Sequence, residues 1–132
     1  MGFTRRTGER DVKVFNSVGT IAAKDIVQFD ENGEVDVCAT NKNVLGIALE
    51  AATSSTTVHV DVLQPGDEVE ATISAGTMAT EEIGEEADIA DANDLTLTES
   101  NNDFIITGWD GVTTTKCFGY FKFPVTGGTV KP

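Results

Sequence analysis

The sequence predicts an all-β fold, a compact β-sandwich or small β-barrel with an extended N-terminal arm. Three observations carry this. Val, Ile and Thr number 14, 8 and 18 against only 5 Leu, and β-branched side chains suit a pleated surface better than a helix. About nine short apolar or alternating runs are separated by turn signals every 8–12 residues or so, the spacing of an all-β domain. Residues 1–11 show neither period and carry Gly2, Gly8 and charges of both signs around the lone apolar anchor Phe3. At 132 residues and 39% hydrophobic the chain fits one domain with a real core. The expected division is an arm at 1–11, a β-domain at 12–123 and a C-terminal tail at 124–132.

The elements follow in order. "VKVF" at 12–15 begins strand-like alternation. "IVQFD" at 26–30 and "EVDVCA" at 34–39 flank Asn32-Gly33, a strong hairpin signal because both residues tolerate positive φ. "VLGIALEAA" at 44–52 is read as a buried strand. "TTVHVDVL" at 56–63 alternates most cleanly, with Val58, Val60 and Val62 on one face and Thr57, His59 and Asp61 on the other. "QPGD" at 64–67 turns the chain, and "EVEATI" at 68–73 is expected to return antiparallel to it. "SAGT" at 74–77 turns again. Residues 78–94 are acidic and poor in large apolar side chains, so a long loop with at most a helical turn is expected. "LTLT" at 95–98, "DFIITGW" at 103–109 and "VTTTKCFGYFKF" at 112–123 complete the strands, the last two joined at Asp110-Gly111.

The net charge of −13 argues against nucleic acid and anionic membranes as partners. It is unevenly spread. Arg5, Arg6, Arg10 and Lys13 supply four of the nine bases, whereas no base and 15 acids lie between Lys42 and Lys116. That pattern reads as a cationic arm on an acidic body. No 18-residue apolar run and no apolar stretch behind the first arginines occurs, so neither a membrane helix nor a secretory signal is expected.

Chemistry-bearing patterns are sparse. His59 is the only histidine; it could touch Asp61 across two strand positions, but no G-x-S-x-G accompanies it, and a surface role is expected. Cys38 and Cys117 are 79 residues apart in apolar runs with no metal-ligand spacing, which predicts buried thiols rather than a disulfide or metal site. The crowded carboxylates of 81–94 could attract a calcium ion, yet their spacing fits no EF-hand loop, and a solvated acidic loop is the simpler reading. The glycines form no phosphate-cradling motif. No cofactor, no metal and no catalytic residue is therefore expected. Phe118, Tyr120, Phe121 and Phe123 read as core or as a subunit interface.

The segment "VLGIALEAATSSTTVHVDVLQPGDEVEATISAGTMATEEIGEEADI" orders an apolar strand, an alternating strand, a Pro-Gly turn, a further strand and "SAGT". In that order and style it resembles the decoration, or head-stabilising, proteins of tailed-bacteriophage capsids, over roughly residues 12–121. The resemblance implies a non-enzymatic viral structural protein on the outer surface of the virion. It would bind the major capsid protein as a homotrimer at three-fold or quasi-three-fold sites and stabilise the shell. Phe3, Arg5, Arg6 and Arg10 are then the expected capsid-binding arm, and Phe118, Tyr120, Phe121 and Phe123 the expected subunit interface. A receptor- or glycan-binding β-domain using a patch around Trp109 is the alternative.

Overall fold

A computed structural model describes residues 2–38 and 43–127. Its strands are β1 (Phe3–Arg5), β2 (Val12–Asn16), β3 (Ile26–Phe29), β4 (Val35–Val37), β5 (Gly46–Ala48), β6 (Thr57–Val62), β7 (Val69–Ala75), β8 (Glu86–Asp91), β9 (Asp94–Thr96), β10 (Phe104–Gly108) and β11 (Lys116–Phe121). Two single 3-10 turns, Thr80–Glu82 and Val125–Gly127, are the only helical segments among the described residues. The all-β expectation holds, and the architecture is a closed five-strand barrel joined to a second sheet.

The barrel runs β7-β11-β10-β8-β9, and β9 closes it by pairing in parallel with the second half of β7, Ile73 opposite Leu95. β1 pairs with the first half of β7, Phe3 opposite Ala71. The second sheet runs β2-β6-β5-β3-β4, all antiparallel. Its two end strands are drawn together by a parallel bridge between Ser17 and Val35, so neither sheet lies flat with two long open edges.

Two cores result. The larger fills the barrel and the junction between the sheets: Val69, Ala71, Ile73, Ala87, Ile89, Leu95, Phe104, Ile106, Cys117 and Phe121 from the barrel meet Ile26, Cys38, Val44 and Ile47 from the second sheet. The smaller lines the inside of the second sheet with Val27, Val35, Leu45, Val58, Val60 and Val62. The alternation read in β6 is therefore obeyed by its valines. The β3–β4 hairpin is also as expected, with Gly33 at φ +77; Ala39, the last residue of the expected second run, lies outside the described residues.

Four expectations are corrected. Residues 3–5 are not an extended arm: they form β1, and Phe3 is 0% exposed in the chain's own core, its ring 5.4 Å from that of Phe121. A three-residue strand is too short to display a period, and the phenylalanine it carries is worth about 2–3 kcal/mol on burial. Nor do β6 and β7 form a hairpin; the "QPGD" turn carries the chain from one sheet into the other. The acidic stretch is not all loop, because Glu86–Asp91 is strand β8, with Ala87 and Ile89 buried. Finally, Phe121 belongs to the core rather than to an outward interface. The start of the tail, residues 124–127, is docked: Val125 N–H donates to Val44 O at 2.9 Å and Thr126 Oγ1 to Leu63 O at 2.6 Å. The expected tail tip at 128–132 lies outside the described residues.

Candidate functional site

The basic N-terminal segment divides into an inner and an outer part. Arg5 leaves β1 toward β6, where its Nε and Nη2 donate to the two oxygens of Asp61 at 2.9 and 2.8 Å. Its Nη1 donates to Asp67 Oδ2 at 2.7 Å, and Nη2 also reaches Val62 O at 3.1 Å. This paired fork suits guanidinium geometry, and Asp61 is the main reason the Arg5 pKa is raised above its ordinary value. Arg5 is thus committed to holding β1 against the second sheet. Neither it nor Phe3 can serve a capsid as an outlying arm.

Arg6 lies on the surface with its guanidinium 3.6 Å from the centre of the Phe118 ring and 2.7 Å from Glu68 Oε1. Arg10 projects outward, its side chain 62% exposed and its Nε 3.9 Å from Asp61 Oδ2. Lys13 is similarly exposed and 3.7 Å from Asp11. Between and beyond these bases β2 displays apolar side chains: Val12 is 42% and Val14 55% exposed. Residues 6–14 therefore present three surface bases, interspersed with Glu9 and Asp11, next to exposed valines on a strongly acidic protein.

The β11 aromatics separate by strand alternation. Cys117, Gly119 and Phe121 face inward and are buried, while Phe118 and Tyr120 are half-buried on the outer face. Phe123 is half-buried just past the strand, with Lys122 Nζ 6.0 Å from its ring centre. Trp109 packs against the larger core and donates its indole N–H to Thr113 O at 2.8 Å, which uses the polar handle a glycan platform would offer.

His59 does not pair with Asp61. Its Nδ1 is 2.6 Å from Glu50 Oε1 on an exposed surface, and this contact holds the Glu50 carboxyl below its ordinary range. In the acidic stretch, no three His, Cys, Asp or Glu side chains among the described residues converge as metal ligands would. Asp88 instead accepts from the backbone N–H groups of Ser100, Asn101 and Asn102 and the hydroxyl of Thr98 at 2.8–3.2 Å. It fixes the loop from β9 to β10. Asp91 and Asp94 both lie within 2.8 Å of the Asn93 amide nitrogen in its satisfied orientation.

Compared with known proteins, the chain matches no family model and no curated sequence.

Sequence reasoning missed two residues that shape this region. Asp61 sits on the nominally polar face of β6, so its pattern reads as solvated; only the tertiary fold shows it 2% exposed beneath Arg5. Lys24 is a loop lysine that takes φ +72, a conformation its sequence neighbours do not signal.

Proposed function

We propose that this chain is a non-enzymatic structural protein that binds the outside of an assembled phage capsid and stabilises the shell. The observation that carries the reading is the surface at 6–14, where Arg6, Arg10 and Lys13 outnumber Glu9 and Asp11 beside exposed Val12 and Val14, on a chain of net charge −13. Such a face suits a protein lattice whose outer surface offers carboxylates and apolar patches, and the acidic remainder suits solvent. The resemblance in strand order and turn chemistry to capsid decoration proteins supports the same reading. The binding form is a homotrimer, the closed symmetry that matches a three-fold lattice site, with the outward Phe118 and Tyr120 at the subunit contact in place of the buried Phe121. Three copies engaging at once gain avidity from effective concentration, so each contact can be weak.

The test is to mix the purified protein with expanded heads assembled from the major capsid protein of the same virus. Gradient-purified heads should retain it in many copies, and light scattering of the unbound protein should give three times the chain mass. A protein that stays at the top of the gradient at micromolar concentration contradicts the reading.

A further inference from the structure

Beside β1 a cavity of about 180 Å³ opens to solvent. At roughly 30 Å³ per water it has room for about six waters, well below the ~300–1,000 Å³ of a cofactor or drug-sized ligand site. It is the size for one side chain. Its buried lining is the apolar Phe3, Ile47 and Ala48 beside the Arg5–Asp61 pair, and the more exposed Leu49, Arg10 and Lys24 line it as well. Asp61 is already answered by Arg5 and, at 3.9 Å, by Arg10. Lys24 makes no ion pair with a described residue, so the mouth carries a surplus positive charge.

Lys24 is placed there by force of its backbone. A side-chain-bearing residue at φ +72 is strained and persists only where its surroundings hold it. Here its N–H donates to Ala48 O at 2.8 Å and its carbonyl accepts from Phe3 N–H at 3.0 Å. Gly2 makes the approach possible, since a Cβ on it would fall 2.7 Å from Lys24 Cβ. Four apolar residues flank Asp61 and His59 on the surrounding face. Register sets Val12 and Ile47 beside Asp61 and Val14 beside His59, and Leu49 N–H bonds to His59 O, so Val12, Val14, Ile47 and Leu49 share one side of the second sheet.

We propose that this cavity seats the carboxylate side chain of an aspartate or glutamate on the polypeptide that the chain binds. Lys24 and Arg10 pair with its oxygens, Ile47 and Leu49 pack its methylene stem, and Val12 and Val14 are covered by the partner around it. A monoanion with an apolar stem fits one surplus charge beside the apolar surface of Phe3, Ile47 and Ala48; a multiply charged phosphate has no stem to bury there. The proposal rests on the capsid-binding reading for the identity of the partner and not for the pocket itself.

Two measurements separate those parts. In NMR titrations, sodium butyrate should shift the backbone amides of Lys24 and Leu49 saturably while neutral butyramide should not. Lys24→Asn, which keeps a residue tolerant of positive φ, should weaken butyrate at least fivefold. Absence of a localised, saturable shift, or an equal one with butyramide, overturns the pocket. On expanded heads, Lys24→Asn and Arg10→Gln should each bind at least tenfold more weakly than the parent at unchanged melting temperature, whereas Lys116→Gln on β11 should bind as the parent does. If butyrate binds but both pocket variants hold heads as well as the parent, the ligand is a free carboxylate and the partner assignment fails. If the parent itself ignores heads while butyrate binds at Lys24, the capsid reading fails and the pocket stands.

Discussion

Arg5 grips Asp61 through two parallel hydrogen bonds of 2.9 and 2.8 Å, 56 residues apart in sequence and on different sheets. The pair ties β1 of the barrel sheet to the inner strand β6 of the second sheet, and Asp67 in the connecting turn completes it at 2.7 Å. Removing one partner of a buried pair strands the other charge, which costs about 3–5 kcal/mol. Arg5→Ala should therefore lower the melting temperature by about 10 °C, and Arg5→Lys should recover only part of it because an ammonium cannot fork. Thermal denaturation followed by circular dichroism measures this; a shift below 2 °C would mean that the clasp is incidental.

Phe3 makes the N-terminus a structural strand. Its ring and the Phe104 ring both lie against Phe121, at 5.4 and 5.1 Å between centroids. Phe3→Ala should cost about 3–5 kcal/mol. Deleting residues 1–5 should destabilise the fold globally rather than trim a mobile arm. Denaturant unfolding of the truncated protein with a midpoint equal to the parent's would refute that.

Asp88 sets an acid limit. Burial opposes its ionisation, but the N–H groups of Ser100, Asn102 and Asn101 and the Thr98 hydroxyl outweigh it and hold the carboxyl below its ordinary range. A carboxyl depressed in the folded state contributes its stability above the unfolded pKa, near 3.9, and loses it as pH falls through the folded pKa. Asp88→Asn should thus cost about 2 kcal/mol at pH 7, a gap that narrows as the pH drops below about 4. Urea midpoints of both proteins across pH 2.5–7 read it out, and a gap that stays constant with pH would assign the loss to shape rather than charge.

Burial alone pushes the Cys117 thiol up to about 12, and Cys38 is buried in the same core. Thiolate is the reactive form. Native protein should consume a thiol reagent at least a hundredfold more slowly than protein in denaturant, with two thiols reacting once unfolded. Rapid modification of either cysteine in the native state would place it outside the core.

What was readable in the sequence was what is local. Val58, Val60 and Val62 announce their face because their strand is long enough to show a period of two, and Asn32-Gly33 announces its hairpin through backbone chemistry. Strand β8 was hidden because its inward residues include only one large side chain, Ile89, amid carboxylates, one of which, Asp88, is itself buried. The partners of β7 were hidden because pairing across sheets is set by the whole chain: "QPGD" specifies a turn but not which strand lies beyond it. The site divided the same way. The cluster of bases at 5–13 was visible as composition, whereas the inward turn of Arg5 depends on Asp61, and the cavity depends on Lys24, Gly2 and Ala48 meeting in space.

The proposed stabilisation of a shell is tested most directly by calorimetry of expanded heads. A protein that binds the assembled lattice and not its unfolded subunits must stabilise the lattice, by about 2.7 kcal/mol per site at a free concentration of 100 Kd. Heads titrated with this chain should melt at progressively higher temperature, with the rise levelling off when the lattice sites are filled. Heads that melt at the same temperature with and without saturating protein would contradict the account.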